Sequence, residues 1–128
     1  MIVLLDTSTG LCQLVLRDGS WTYESEWRAD RELAKGLLGY LQTQLKQNEK
    51  TFNDISGIGV FQGPGSFTGL RIGMTVLNTI ADSESIPIVG TVGNTWQQDA
   101  LDRLGKGEND MIVLPVYGSD PRITTPRK

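Results

Sequence analysis

Four glycines, one proline and two hydroxyl side chains crowd into the run Gly63-Pro64-Gly65-Ser66-Phe67-Thr68-Gly69-Leu70-Arg71-Ile72-Gly73. The run follows the apolar Ile58-Gly59-Val60-Phe61 and opens an amphipathic stretch from Leu70 to Ala81. It therefore reads as a strand, a tight turn and a helix N-terminus in succession. Gly63 and Gly65 can take positive φ, and Pro64 fixes its own. Ser66 or Thr68 can cap the first orphan N–H groups of the helix. Such a turn serves either a close backbone approach or an anion held on free N–H groups. A Walker loop does not fit, because no lysine follows a glycine within the run. A dinucleotide fingerprint does not fit either, since its third glycine position is Thr68 and Gly69 comes one residue late. Spacing alone favours a structural turn with close helix packing.

The rest of the chain sets the frame for that turn. Ile2 to Leu5 reads as a buried strand. Cys12 to Leu16 reads as a second strand, Arg17-Asp18-Gly19-Ser20 as a hairpin turn, and Trp21 to Trp27 as a half-exposed third strand. Asp30 is the expected N-cap of a helix to Gln47. A strand near Ile58 to Phe61, a helix from Thr68 to Ala81, a short strand Ile86 to Val89 and a helix from Asn94 to Leu104 follow. A final strand is expected over Met111 to Val116, interrupted by Pro115, before a polar tail. Three meandering strands and then alternating helices and strands predict an α/β layered domain of ribonuclease H-like order, with a mixed five-stranded sheet. The length of 128 residues suits one domain, expected over residues 1–117 with a tail over 118–128.

Charge and composition remove several functions. With 12 basic and 15 acidic residues the net charge is -3, which disfavours strong direct binding of tRNA or other nucleic acid. No apolar run approaches the ~18 residues of a membrane span, and the first one is too short for a signal peptide. The expected compartment is the cytoplasm. The single cysteine, Cys12, lies in an apolar run and reads as a small buried hydrophobe. The chain has no histidine, so neither a Ser–His pair nor a histidine-ligated zinc site can be built. A two-metal nuclease would need carboxylates to converge from Asp6, Glu24 or Glu26, and Asp54 or Asp82. None of these lies at the end of the fourth strand, and Asp6 reads instead as a turn-bonding residue. No catalytic residue, metal or cofactor is expected.

The full string from Gly63 to Gly73 resembles the signature of the TsaB family, dimerization subunits of the bacterial tRNA threonylcarbamoyladenosine machinery. Ile2-Val3-Leu4-Leu5-Asp6-Thr7-Ser8-Thr9 is similar to that family's opening strand and turn, and Phe52-Asn53-Asp54-Ile55-Ser56-Gly57-Ile58 to its approach to the signature. The resemblance covers about residues 1 to 100. It implies the first lobe of the actin-like ATPase superfamily, with the second lobe absent. Asp6-Thr7-Ser8-Thr9-Gly10 resembles that superfamily's first phosphate hairpin. A candidate anion site thus comprises Asp6, Thr7, Ser8, Gly63, Gly65, Ser66 and Thr68. Where many relatives show Arg-Glu-His, this chain reads Arg31-Glu32-Leu33.

What remains is a surface. At 100° per residue, Leu33, Leu37, Leu38, Leu41 and Leu45 fill an arc of about 140°, enough to face a sheet. Gly36, Gly39, Tyr40 and Thr43 gather on a separate arc of about 100°. Leu70, Ile72, Gly73, Met74, Val76, Leu77, Ile80 and Ala81 spread over about 200°, more than one sheet-facing stripe needs. Either the two helices bury the surplus against each other or a partner covers it. The resemblance implies docking on a TsaD-type catalytic subunit through these helices. The expected partner face is Gly36, Gly39, Tyr40, Thr43, Leu70, Gly73, Met74 and Leu77, with Gly36 and Gly73 taken to lie off the sheet. The implied function is that of a non-catalytic scaffold in modification of the adenosine 3′ of the tRNA anticodon. An ATPase of the TsaE type is a further implied partner, and a homodimer is expected when the chain is alone. The alternative is an actin-like or ribonuclease H-like enzyme fragment acting on nucleotide or nucleic acid.

Overall fold

The computed structural model describes residues 1–116; the expected tail 118–128 and the boundary at 117 lie outside them. Five strands form one sheet in the order β3-β2-β1-β4-β5: β1 (Ile2–Asp6), β2 (Leu11–Asp18), β3 (Trp21–Arg28), β4 (Gly57–Phe61) and β5 (Ile88–Thr91). The first three are an antiparallel meander, and β4 and β5 add in parallel to β1. The β2–β3 turn is a tight loop in which Gly19 takes φ 61°. The mixed sheet and its order match the expected ribonuclease H-like arrangement.

Alternation along the strands divides the core in two. Val3, Leu5, Cys12, Leu14, Leu16, Ile58, Val60 and Ile88 face helices α1 (Leu33–Gln47) and α2 (Phe67–Glu84). Leu4, Val15 and Val89 face α3 (Trp96–Gly105) and its buried Ala100. Helices α1 and α2 lie side by side, whereas α3 packs on β4 and β5. Covering both faces of the parallel part of the sheet is the expected consequence of crossover connections.

Three local expectations are corrected. Asp30 does not cap α1; it sits at φ 45° inside a 3-10 turn (Asp30–Glu32), and the capping position, Glu32, makes no side-chain cap bond. Helix α2 continues to Glu84, where Ser85 adopts a left-handed conformation and the Ile86 N–H returns to the Ala81 carbonyl. That C-cap uses Ile86 and displaces the start of β5 from Ile86 to Ile88. Finally, Met111 to Val116 forms no strand. Val113 alone is buried, while Met111, Ile112, Leu114 and Val116 are exposed.

The outer edge of β5 explains the missing strand. Its outward groups are already taken: Asn109 Oδ1 accepts from the Ile88 N–H at 3.1 Å, and the Ile88 carbonyl accepts from the Asp110 N–H at 2.7 Å. Asp110 Oδ2 accepts from the Gly90 N–H at 2.9 Å, and Arg103 Nη1 donates to the Gly90 carbonyl at 3.0 Å. With these bonds made, no ladder is left for residues 111–116 to join. The segment is held instead by side-chain amides. Asn78 donates to the Val113 carbonyl and accepts from its N–H, both at 2.9 Å, and the Val116 N–H donates to the Gln62 carbonyl.

Replacing Asn78 with alanine should remove both Val113 bonds and cost about 1–3 kcal/mol. Amide exchange should show Val113 deprotected and β5 unchanged. A second expectation concerns acid. Hydrogen bonds from Arg103 hold the Asp110 carboxyl below the usual aspartate range; partial burial opposes them and the Gly90 N–H adds to the depression. A depressed carboxyl stabilises above its unfolded value of about 3.9, and that contribution is lost as pH falls through the folded value. Protection of the Gly90 amide should therefore fall in that acid range in the native chain and show no such step in Asp110→Asn.

Candidate functional site

The signature run and the first hairpin meet at one end of the sheet. Ser66 caps α2, its Oγ accepting from the Gly69 N–H at 3.3 Å. Ahead of it Gly63 takes φ 125° and the Gly63–Pro64 peptide is cis. The Ser66 N–H donates to the Ser8 carbonyl at 2.7 Å, and Thr7 Oγ1 donates to the Gly69 carbonyl at 2.8 Å. Asp6 Oδ1 accepts from the Ser8 N–H at 2.8 Å, which closes the turn. Thr7 and Ser8 are buried polar residues; these bonds satisfy the Thr7 hydroxyl and the Ser8 backbone.

The spacing of the glycines now has a structural reason. Gly65, Gly69 and Gly73 recur every four residues and meet this turn in order. A Cβ on Gly65 would lie 2.5 Å from Ser8 Cβ, one on Gly69 would overlap the Thr7 carbonyl oxygen, and one on Gly73 would overlap Thr7 Oγ1. No real Cβ tolerates these separations. The helix thus lies directly on the β1–β2 turn, its backbone where side chains would otherwise stand.

This arrangement uses part of the expected anion site internally. The N–H groups of Ser8, Ser66 and Gly69 are committed to Asp6, Ser8 and Ser66, so they are not available to a phosphate. Thr68 is exposed on the first turn of the helix and takes no part in the contact the glycines make. The candidate carboxylates do not converge. Asp54 accepts from Thr51 in a capping box, Glu26 accepts from Gln13 on the open sheet face, and Asp6 serves its turn. Among the described residues no group of three His, Cys, Asp or Glu side chains is placed to hold a metal. The Cys12 thiol is buried, and desolvation first, then the Asp6 charge, push it up to about 12. It is a packing residue in chemistry as well as in position.

The expected partner face also divides. Leu70, Gly73, Met74 and Leu77 are buried against the sheet, Gly73 through its contact with Thr7. Gly36 lies under Trp27 of β3, whose ring would be 2.6 Å from an added Cβ. Tyr40 stacks on Trp27 at 5.1 Å and donates to Ser25 Oγ at 2.6 Å. These six residues serve internal packing. Only Gly39 and Thr43 stay exposed. The outward face of the helical layer is instead Leu38, Gly39, Gln42 and Thr43 of α1 with Thr75, Val76 and Thr79 of α2. A groove of about 260 Å³ between the helices is lined by Leu38, Phe52, Val76, Thr79 and Ile80. Leu38, at the far limit of the apolar arc, gave the sequence signal for that face; its partner on α2 was hidden in the surplus, of which Ile72 and Val76 are the half-buried remainder.

Strand order, helices on both faces and a helix seated on the first hairpin define a ribonuclease H-like lobe of the actin-like ATPase superfamily. A family model described as TsaD, tRNA N6-adenosine threonylcarbamoyltransferase, matches residues 27–92. The tRNA threonylcarbamoyladenosine biosynthesis protein TsaB of Escherichia coli is 32% identical over 90 residues, covering 70% of this chain and 38% of that protein. The TsaB of Haemophilus influenzae is 29% identical over 114 residues, covering 88% and 48%. Among solved structures, YeaZ from Pseudomonas aeruginosa superimposes with a TM-score of 0.69 at 26% identity, covering 81% of this chain and 49% of that one. The chain belongs to the TsaB family. It spans less than half the length of these relatives.

The contact between Gly73 and Thr7 is open to a double-mutant test. Gly73→Ala should cost about 1–3 kcal/mol through overpacking. Thr7→Ala, which removes the obstructing side chain, should also destabilise, by about 1 kcal/mol for its lost hydrogen bond. The double variant should lose less than the sum in urea unfolding, because the alanine methyl can occupy the vacated space.

Proposed function

We propose that this chain is a non-catalytic scaffold subunit that docks a TsaD-type catalytic subunit on the outward face of α1 and α2, in the threonylcarbamoylation of the adenosine 3′ of the tRNA anticodon. The names of its relatives support the pathway. The chain has no histidine, which supports a division of labour with the chemistry on the partner.

One observation carries the docking face. Of the glycines inside α1 and α2, Gly36, Gly69 and Gly73 each have a neighbour that forbids a Cβ, but Gly39 has nothing within 4 Å. A glycine in a helix interior costs about 1 kcal/mol relative to alanine. Within the lobe nothing offsets that cost at Gly39, whereas a partner helix brought close to its backbone would. The surroundings suit a helix: Gln42, Thr43, Thr75 and Thr79 are short or uncharged, Leu38 is 46% exposed, and Lys35 and Lys46 fall toward the two ends of α1. An uncharged centre with charge at its margin is the ordinary anatomy of a protein interface.

The TsaE-type ATPase and a homodimer of the free chain belong to the same reading, the latter as self-pairing of this face when no partner is present. An enzyme fragment acting on nucleotide has no comparable support, since three N–H groups of the turn that would hold phosphate are used internally.

Gly39→Ala should raise the stability of the isolated chain by about 0.5–1 kcal/mol. Gly39→Arg and Thr75→Arg should both fold, and calorimetry should show each binding a purified TsaD-type subunit at least about tenfold more weakly, the loss of ~1.4 kcal/mol. Unchanged affinity in both would overturn the assignment of the face. Gly36→Leu and Gly73→Leu should lose the fold itself, which distinguishes internal glycines from the docking one.

A further inference from the structure

The groove of about 260 Å³ between α1 and α2 has a distinct chemistry of its own. Leu38, Phe52 and Val76 line it together with Ile80, which is buried. Leu38 is exposed, although the same helix buries Leu33, Leu37, Leu41 and Leu45. The volume falls below the ~300–1,000 Å³ of small-molecule sites. Its scale is that of one large side chain rather than of a whole ligand. Gly39 is the next residue after Leu38, about 100° further round α1, and nothing lies within 4 Å of the Cβ it lacks. A helix laid across α1 and α2 at Gly39 therefore also covers the mouth of the groove.

The lower end of the groove carries a second observation. Glu84 lines it one turn beyond Ile80, at the last position of α2. The last turn of α2 holds two acids, Asp82 and Glu84, and no basic residue. Acids are unfavourable at the carbonyl end of a helix, where the macrodipole is negative. Glu84 is exposed, its carboxylate accepts from the Ser83 hydroxyl at 3.5 Å, and it enters no ion pair among the described residues. Within the lobe nothing offsets that charge. A cation brought to the end of the groove would relieve both the carboxylate and the helix end.

An apolar slot for one side chain, beside an open glycine and with an uncompensated acid one turn away, specifies its occupant. We propose that the groove receives a single leucine- or phenylalanine-sized side chain from a helix of the docked subunit, with a lysine or arginine one turn further along that helix meeting Glu84. This rests on the docking reading above and names the anchor within it. Buried apolar side chains in pockets are the contacts that dominate interface energetics, and a charge pair at the rim fixes the register of the helix.

Calorimetry of the whole chain with a purified TsaD-type subunit separates the anchor from the face. Leu38→Ala, which shortens one wall and adds no bulk, should weaken binding about tenfold, and Leu38→Met, which keeps the wall apolar, should restore most of the affinity. Glu84→Gln should weaken binding about threefold, yet the isolated variant should melt no lower than the native chain, because an acid has left the end of α2. In NMR of the complex, the Val76 and Ile80 methyls should show contacts to an apolar side chain of the partner. Native affinity in Leu38→Ala or Glu84→Gln, beside a tenfold loss in Gly39→Arg, would overturn the anchor and leave the docking face standing. Val76 and Ile80 methyls without a partner contact would overturn it equally. Native affinity in Gly39→Arg and Thr75→Arg as well would overturn both readings.

Discussion

The contact between the α2 backbone and the β1–β2 turn is the constraint on which the rest depends. Gly65, Gly69 and Gly73 let the helix lie on Thr7 and Ser8 with no side chain between them. Hydrogen bonds from Ser66 to Ser8 and from Thr7 to Gly69 then lock the helix to the turn. With its N-terminus fixed, α2 presents Leu70, Met74, Leu77 and Ile80 to the sheet, and α1 fills the space beside it. A larger residue at any of the three glycines would lift the helix and open the core along its length. The family's signature is therefore, in this chain, a packing device.

The sheet's two edges are treated differently. The β5 edge is closed by Asn109, Asp110 and Arg103, which satisfy the outward groups of Ile88 and Gly90 without adding a strand. At the other edge β3 carries Thr22, Glu24, Glu26 and Arg28 on its open face, and the acidic pair there discourages edge-to-edge pairing with a copy of itself. Its inner face is anchored by Tyr23 to Gln44 and by Tyr40 to Ser25, each bond 2.6 Å. The helical layer is thus tied to the meander by tyrosine hydroxyls as well as by leucines, and Trp27 takes the space that Gly36 leaves open.

These anchors narrow the exposed part of the helical layer to a strip around Gly39, Thr75 and Thr79, with a groove beside Leu38 and Val76. The surplus of apolar residues on α2 is largely used inside the lobe, because the sheet and α1 contact it from two directions. A partner meeting this face would find small, uncharged side chains and one open glycine, the conditions for close approach of helices rather than for a deep pocket.

The sequence by itself determined the type and order of the elements, since period-2 and period-3.6 patterns, the Ser66 cap and the Gly19 turn are local signals that need no distant neighbour. It also marked the run from Gly63 to Gly73 as the place where the backbone must come close to something. Only the tertiary structure decided what that something is. A helical wheel gives the angle of a residue but not what stands there. Gly36 and Gly39 differ by 60° on one wheel, yet the ring of Trp27 stands over the first and nothing over the second. Gly73 fell on an arc wider than one sheet contact, and only the position of Thr7 on the neighbouring hairpin shows that it is internal. Met111 to Val116 has the composition of a strand, but strand formation needs an open edge, and side chains from Arg103, Asn109 and Asp110 had already closed it. In each case the deciding contact joins residues far apart in the chain, and periodicity carries no information about such contacts.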